Sequence, residues 1–279
     1  MTSEEYIEVT QQFYDGAIHE MYKECWGGEN HHLGIFDETD DFFEAAIKAN
    51  ENLVGRLSIT PQTVMLDVGS GFCGLPRYIA KNTDCKKVFG LNLSEKENAY
   101  ARMKNAQEGL DGRITVVDGD YNNMPFADDE FDILVSQDAM LHSPDKGKLV
   151  RECARVLKPG GTFVFSDILE METLSREEAE RVYARVRTSN IATHELYKER
   201  LREAGFEILE IQDLGSGNLA RSYQEVHDIV EKKRDALINE KGAPAEIIDG
   251  ALEGLRFWVE KGYENKIGWS LFVARLRNE

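Results

Sequence analysis

Short apolar runs alternate with amphipathic segments through the middle of the chain, and turn residues bound each run. The runs cover Val64–Val68, Val88–Leu93, Ile114–Val117, Phe131–Ser136 and Thr162–Ser166. The segments between them have helical spacing, and one begins with Ser94 and Glu97 at the separation of a helix capping box. Strands that alternate with helices predict a parallel sheet covered by helices, with ligands at the carboxyl ends of its strands.

Three segments lie outside this alternation. The first sixty residues are rich in aromatic side chains and are predicted to be mostly helical, and "SREEAERVYARVR" is predicted as a helix capped at Ser175. A long helical pattern, Tyr223–Tyr263, separates the last two strand candidates. The predicted fold class is α/β: a Rossmann-like, doubly wound, mostly parallel seven-stranded sheet, with a helical N-terminal cap and a helical insertion near the C-terminus. The predicted divisions are an N-terminal helical cap (1–60), a ligand-binding core (61–170), a cap helix (171–193), a core helix and strand (194–214), a helical cap insertion (215–267) and the last core strand (268–279).

Charge and composition narrow the range of partners. The net charge of −18 opposes binding to nucleic acid or to an anionic membrane, because both are polyanions. No apolar run is long enough to predict a transmembrane helix, and the acidic N-terminus lacks the basic-then-apolar order of a signal peptide. The four cysteines lack metal-site spacing, which favours reduced, buried thiols and no metal. We therefore expect a cytoplasmic protein with neither nucleic acid nor membrane as a partner, and either a monomer or a homodimer.

A glycine-rich turn, "DVGSGFCG", follows the first predicted strand. Its Gly69, Gly71 and Gly74 satisfy G-x-G-x-x-G, a pattern that would also suit a dinucleotide. Asp67 stands directly before the glycines. Its carboxylate attracts the sulfonium and ammonium groups of S-adenosylmethionine and would repel a pyrophosphate, so this position favours S-adenosylmethionine.

Two later positions agree with that ligand. The second strand leads to Asn92, where dinucleotide-binding enzymes often place an acid, but an amide can still accept from one ribose hydroxyl and donate to another. Replacing Asn92 with Asp should therefore keep activity. Asp120 offers an acceptor for the adenine amino group and Tyr121 a ring face, although an Asp after Gly119 is also typical of a turn. These positions disfavour an NAD-dependent oxidoreductase.

Four motifs in this order resemble the class I S-adenosylmethionine-dependent methyltransferases: "DVGSGFCG", "GLNLS", "GDYNNMPFADDEFD" and "RVLKPGGTFVFSD". The resemblance implies S-adenosylmethionine as cofactor and S-adenosylhomocysteine as product. The cofactor-binding residues that it implies are Trp26, Gly28, Asp67, Gly69, Ser70, Gly71, Asn92, Leu93, Asp120, Tyr121 and Gln137.

Two further patterns bear on the methyl acceptor. Tyr22 and Trp26 stand four residues apart, as do Asp138 and His142, an arrangement similar to that of the phosphoethanolamine methyltransferases. The longer "WGGENHH", the C-terminal cap and "GW" before the last strand are more similar to the sarcosine/dimethylglycine N-methyltransferases, which make glycine betaine. A methylated amine is cationic, and aromatic faces stabilise such a cation, so Tyr22 and Trp26 are candidates for an aromatic cage, although both could instead be core aromatics.

This resemblance implies the candidate catalytic residues Tyr22, Asp138 and His142, and the candidate substrate-binding residues Tyr22, Arg185 and Tyr223. His142 would either accept the amine proton or hold Tyr22 by a hydrogen bond. Arg185 would bind a substrate carboxylate, although its helix also carries acids at the spacing of surface ion pairs.

The predicted function is S-adenosylmethionine-dependent N-methylation of sarcosine or dimethylglycine towards glycine betaine, by in-line methyl transfer. Three alternatives remain open on the sequence. One is a phosphoethanolamine methyltransferase, and the second acts on a prenylated quinone or tocopherol ring. The third, of another class, is a non-catalytic S-adenosylmethionine-binding protein.

Overall fold

Seven strands form one sheet in a computed structural model of the protein, which describes residues 25–26 and 29–278. In chain order they are β1 (Val64–Val68), β2 (Lys87–Asn92), β3 (Ile114–Asp118), β4 (Phe131–Gln137), β5 (Leu157–Glu170), β6 (Phe206–Asp213) and β7 (Ile267–Leu276). They lie side by side in the order β3-β2-β1-β4-β5-β7-β6. All neighbours pair in parallel except β7, which runs antiparallel to both β5 and β6. The predicted mostly parallel seven-stranded sheet is confirmed.

The centre of the sheet explains why its strands are apolar runs rather than alternating patterns. Successive residues of one strand join different apolar layers: Met65 and Ile133 pack in one, Leu66 and Leu134 in the other. Side chains alternate between the faces of a strand, so both faces of the sheet are covered and both sets must be apolar. Strand order reverses between β1 and β4, and a doubly wound sheet opens a crevice at the carboxyl ends of such strands.

Helices supply the outer layers. In the described residues they are α1 (Phe42–Val54), α2 (Gly74–Asn82), α3 (Glu95–Gln107), α4 (Lys146–Val156), α5 (Arg176–Arg185), α6 (His194–Glu203), α7 (Ser216–Asn239) and α8 (Ala245–Tyr263). A complete capping box opens α5, where Ser175 and Glu178 each bond the other's backbone N–H. None of the described helices combines the length and the apolar character that crossing a bilayer requires.

The cap helices α5, α7 and α8 belong to the same apolar layer as α1. Val182, Val226 and Leu255 represent them in that layer, and Leu53 represents α1. The opposite layer contains residues of α4 and α6, with Tyr197 fully buried. The cap is therefore continuous with one face of the core rather than a separate lobe.

Residues 29–41, directly before α1, are not helical, although the first sixty residues were predicted to be mostly helical. Their backbone N–H groups are bonded by side chains from elsewhere: Leu33 N–H donates to Asp138 (2.9 Å) and Gly34 N–H to Ser222 Oγ (2.9 Å). These bonds replace the internal ladder of a helix and attach the segment to β4 and α7. The predicted helical character of residues 1–24 lies outside the described residues.

Candidate active site

The glycine turn after β1 forms one wall of a cleft of about 660 Å³ at the carboxyl edge of the sheet, here called the cofactor cleft. Gly69 (φ +83°) and Gly71 (φ +49°) adopt left-handed backbone conformations, which side chains disfavour. A Cβ on Gly69 would lie 2.4 Å from the Cβ of Ala139. The turn is tied to β2 because the N–H groups of Gly69 and Ser70 donate to the Leu91 carbonyl at 2.8 and 3.0 Å.

Most of the predicted cofactor residues meet at this edge. The cofactor cleft is lined by Gly69, Gly71, Asn92, Leu93, Asp120, Tyr121 and Gln137. Asp67 and Ser70 line an adjoining cavity of about 300 Å³, which shares Gly69, Gly71 and Gln137 with the cleft. Gly28 lies outside the described residues.

Two buried acceptors face this adjoining cavity. Asp67 is 3% exposed, and its carboxylate has no hydrogen-bond donor among the residues that the structure describes. Burial raises the pKa of Asp67 to about 8. Gln137 Oε1 is also buried without a donor in that part of the chain. Buried acceptors require donors, and the α-ammonium of S-adenosylmethionine supplies both the donors and the charge that an ionised Asp67 needs, so the residues fit this cofactor.

Asp120 and Tyr121 follow β3 and line the same cleft. Asp120 Oδ1 accepts from the N–H and the Nδ2 of Asn122 (2.8 and 2.9 Å), so the residue does shape a turn. Its Oδ2 has no partner among the described residues and remains available to an adenine amino group. The Tyr121 hydroxyl donates to the Ala139 carbonyl at 3.3 Å, which fixes the ring beside the glycine turn.

A second cavity, of about 440 Å³, meets the cofactor cleft at His31, Asp138 and His142, which line both. We call it the aromatic cavity. Its other walls include Trp26 and Tyr223, whose rings meet edge to face with centroids 5.6 Å apart.

Trp26 was predicted both as a cofactor residue and as part of an aromatic cage for the methylated amine, and it lines the aromatic cavity. Its indole N–H donates to the His32 carbonyl (3.2 Å), and its ring meets that of Tyr223 edge to face. Later residues of the same segment are attached to α7 and to Asp138, which follows β4.

Arg185, the last residue of α5, provides a cation in the aromatic cavity. Its guanidinium lies 4.7 Å from the ring centroid of Tyr223 and 4.9 Å from that of Trp258. No carboxylate of the described residues lies within ion-pair distance of it, whereas Arg176 on the same helix pairs with Glu180. The surface-pair interpretation of Arg185 is therefore not what the structure shows. Its unused donors suit a ligand carboxylate.

Asp138, a predicted catalytic residue, lines both cavities and is bonded by three donors of the protein. One oxygen accepts from Ser166 Oγ and Trp269 Nε1, both at 2.7 Å, and the other accepts from the Leu33 N–H. Both carboxylate oxygens are therefore already bonded by protein donors. Asp138 joins β4, β5 and β7 to the segment that precedes α1.

His142 lies in a short 3₁₀ turn after β4 and is 8% exposed. Burial lowers its pKa to about 3, and the positive charges of Lys146 and Arg185 act in the same direction. Lys146 is itself buried and donates to the carbonyls of Leu141 (2.9 Å) and Ser143 (2.6 Å), and these two bonds fix the turn that carries His142. His142 is thus a neutral, fixed imidazole. Tyr22, its predicted partner, lies outside the described residues.

Comparison with known proteins shows the family. The model of the methyltransferase domain matches residues 66–165. A sarcosine/dimethylglycine N-methyltransferase of Halorhodospira halochloris is 32% identical over 272 residues, which are 96% of each chain. The chain belongs to the sarcosine/dimethylglycine N-methyltransferase family.

Other relatives agree. The sarcosine/dimethylglycine N-methyltransferase of Aphanothece halophytica is 32% identical over 94% of each chain. A crystal structure of a candidate sarcosine dimethylglycine methyltransferase of Galdieria sulphuraria superimposes with a TM-score of 0.82 at 28% identity, covering 93% of this chain and 98% of that one. As a member of the N-methyltransferase family, this protein is an enzyme that uses S-adenosylmethionine, as predicted.

Three residues at the site of this N-methyltransferase were not among the predicted site residues, although Trp269 is the tryptophan of the "GW" pattern. Glu97 lines the cofactor cleft, Trp258 stacks on Arg185, and Trp269 bonds Asp138. Trp258 and Trp269 are large buried residues on late elements, and only the tertiary structure brings them to the site. Glu97 had been assigned to a helix cap, which concealed its position at the cleft.

Proposed function

We propose that the protein methylates the nitrogen of sarcosine and dimethylglycine, so that trimethylated glycine, glycine betaine, is the end product. The observation that carries the proposal is Arg185: a guanidinium without a carboxylate partner among the described residues, packed against two aromatic rings in a cavity that adjoins the cofactor cleft. The relatives named above support the substrate class.

The two ends of an N-methylated glycine match two features of the aromatic cavity. A carboxylate pairs with Arg185 through charge-assisted hydrogen bonds. The nitrogen becomes positively charged as it is methylated, and the ring faces of Trp26 and Tyr223 stabilise such a cation, by about 0.5–2 kcal/mol for each contact. Arg185 is the one Lys or Arg among the described residues that line this cavity.

The chemistry requires positioning more than acid–base catalysis. S-adenosylmethionine, when bound, supplies a methyl group on a cationic sulfur. The nitrogen lone pair forms the new C–N bond while the C–S bond breaks and its electron pair stays on sulfur, which leaves the charge on nitrogen. The protein holds the amine and excludes water where the two cavities meet.

The role of His142 concerns the proton of the substrate amine rather than the transfer of the methyl group. Its lowered pKa makes it a poor store for a proton, so the amine is methylated after it has lost its proton elsewhere. A neutral imidazole can still accept a hydrogen bond from a bound amine or hold a neighbouring hydroxyl. Methylation of dimethylglycine gives a quaternary nitrogen that carries no proton. Methylation of sarcosine gives protonated dimethylglycine, which must lose its proton before the next transfer.

The rival substrates fit the aromatic cavity less well. A phosphate dianion calls for more than one fixed cation, and the described lining offers Arg185 together with the Asp138 carboxylate. A prenyl chain calls for an extended apolar channel, and this cavity contains histidines, Asp138 and Arg185. A protein that only bound S-adenosylmethionine would not need a second cavity beside the cofactor cleft, and here the two share lining residues.

An amine panel with isotope-labelled S-adenosylmethionine tests the proposal. We expect labelled products from sarcosine and dimethylglycine, with trimethylated glycine accumulating, and none from phosphoethanolamine. Dimethylethanolamine is the matched control because it replaces the carboxylate of dimethylglycine with an alcohol, and it should react at least about tenfold more slowly at low concentration. Equal turnover of the two amines, or a preference for phosphoethanolamine, would overturn the proposal.

We include in this proposal that the enzyme acts in the cytoplasm on a small-molecule amine, without nucleic acid or membrane as a partner. The four cysteines support a reducing compartment because all are buried and none forms a disulfide. The oligomeric state is proposed as monomer or homodimer. Fractionation of cells and light scattering of the purified protein test these points separately.

A further inference from the structure

The end of β2 presents an amide to the cofactor cleft, and a buried acid stands next to it. Asn92 is the last residue of β2, and Glu97 lies in the first turn of α3. Both line the cofactor cleft. Asn92 Nδ2 donates to Glu97 Oε2 at 2.9 Å.

The environment of Glu97 is unusual for a carboxylate. The residue is 3% exposed, and no Lys or Arg of the described chain lies within ion-pair distance of it. Its other oxygen, Oε1, lies 3.6 Å from His31 Nδ1. Burying an acid with one amide donor is costly unless a further donor is supplied. Two carboxylate oxygens offer about four acceptor sites, so acceptor capacity remains on the cleft side.

The helix cap does not explain this arrangement. The Glu97 N–H donates to Ser94 Oγ at 3.2 Å, which is one half of a capping box. At α5 the equivalent acid, Glu178, completes the box by accepting from the Ser175 N–H. The Glu97 carboxylate instead reaches back to the end of β2. The same Ser-x-x-Glu spacing thus has two different outcomes: at α5 the acid completes the capping box, and at α3 it lines the cofactor cleft.

The contact also orients Asn92. A planar amide whose Nδ2 is bonded to Glu97 must turn its Oδ1 the other way, and Oδ1 has no partner among the described residues. The pair therefore offers two adjacent acceptors, one amide oxygen and one carboxylate. A vicinal diol, with two adjacent hydroxyl donors, is the chemical group that such a pair matches.

We propose that Glu97 is the ribose-binding acid of this enzyme, supplied by the first turn of α3 instead of the end of β2, and that it orients Asn92 as the second acceptor. The inference concerns the cofactor alone and holds whichever amine is methylated. Glu97 would contact the ribose hydroxyls directly, and its charge would be balanced by their donors and by Asn92.

Calorimetric binding of S-adenosylhomocysteine and of its 2′-deoxy and 3′-deoxy analogues tests the assignment. The wild-type protein should lose about tenfold or more in affinity for at least one deoxy analogue, because a buried acid is left without its donor. Glu97→Gln should bind the natural ligand about tenfold more weakly and discriminate against the deoxy analogues by less than about threefold. Glu95→Gln is the matched control, since Glu95 is in the same turn, has the same charge and is exposed. A Glu97→Gln protein that discriminates like the wild type would overturn the proposal.

Exchanging the amide of Asn92 and the carboxylate of Glu97 distinguishes a loss of ligand binding from a loss of folding. Asn92→Asp would place two carboxylates where an amide now donates to one, so we expect about tenfold weaker binding or more, the reverse of the expectation from sequence. The double variant Asn92→Asp/Glu97→Gln restores one acid and one amide and should recover affinity to within about threefold. Thermal unfolding of each variant shows whether it folds. If Glu97→Gln does not fold, the comparison of Asn92→Asp with the double variant decides, and equal binding by those two would contradict the proposal.

Discussion

The cofactor cleft and the aromatic cavity differ in the way the chain builds them. The cofactor cleft is formed by strand ends and the turns that follow them, and its polar groups are mostly acceptors: Asp67, Asn92, Asp120 and Gln137. The aromatic cavity combines residues more than 150 positions apart, Trp26 and Arg185 among them, and its characteristic groups are rings and a guanidinium. The cofactor cleft matches a ligand with many hydrogen-bond donors. The aromatic cavity matches a ligand that carries a carboxylate and a nitrogen that becomes cationic. This division separates the part of the site that fixes the cofactor from the part that selects the acceptor.

The largest expected effect is on the cofactor side. Asp67→Asn removes the buried charge that matches the ligand ammonium, and affinity for S-adenosylhomocysteine should fall about 100-fold by calorimetry. Asp132→Asn is the control, because Asp132 is also a strand carboxylate but bonds Val64 N and Lys158 at the opposite edge of the sheet. If Asp67→Asn binds like the wild type, the ammonium is held elsewhere and the comparison between the two cavities loses its basis.

Arg185→Ala should affect the other region alone. We expect the KM for dimethylglycine to rise about 30-fold while S-adenosylhomocysteine affinity stays unchanged, because a charge-assisted carboxylate contact is lost. Arg181→Ala is the matched control: Arg181 lies one turn earlier on α5 and stacks on Phe257 at 3.8 Å, but it does not line the aromatic cavity. Equal changes in both variants would mean that α5 contributes only packing.

The smallest effect is a dependence on pH that the cofactor side should show. In the free protein the raised pKa keeps Asp67 protonated below about pH 8, whereas the ligand ammonium favours its ionised form. Binding therefore releases a proton, and affinity should rise about tenfold from pH 6 to pH 7 and level off above about pH 8.

The control for this pH dependence is Asp67→Asn, measured in two buffers of different ionisation enthalpy. His31, His32 and Glu29 line the same cavity as Asp67 and remain in the variant, so the difference in slope between the two proteins isolates Asp67. Affinity that is independent of pH in the wild type would show that Asp67 is already ionised before the ligand arrives.

The two regions also differ in how far the sequence predicts them. The turn after β1 depends on local rules, since Gly69 and Gly71 need conformations that few other residues adopt, and Asp67 is placed by the strand that it ends. The same rules hold only in part at Glu97: Ser94 caps its N–H as predicted, but its carboxylate bonds Asn92 instead of completing the box. At the aromatic cavity, the family resemblance named Arg185 and Tyr223 as substrate-binding candidates, but neither it nor the spacing revealed that they lie against each other.

Asp138 shows why the remainder could not be predicted. Its spacing from His142 matches a family motif, but the role of a carboxylate depends on the donors that reach it, and Trp269 is 131 residues further along the chain. A sequence pattern identifies which residue is present and not which partners saturate it. The spacing of Asp138 from His142 therefore reveals none of the three donors that reach its carboxylate.

The insertion that forms α7 and α8 begins and ends on neighbouring strands. Asp213 at the end of β6 stands opposite Ser270 of β7, and the Leu214 N–H donates to the Trp269 carbonyl at 2.9 Å. In topological terms the insertion is one long hairpin loop, and the pairing of its base is independent of its length. The two ends of the insertion are therefore held by the sheet that carries the cofactor, while its interior supplies Tyr223 to the aromatic cavity.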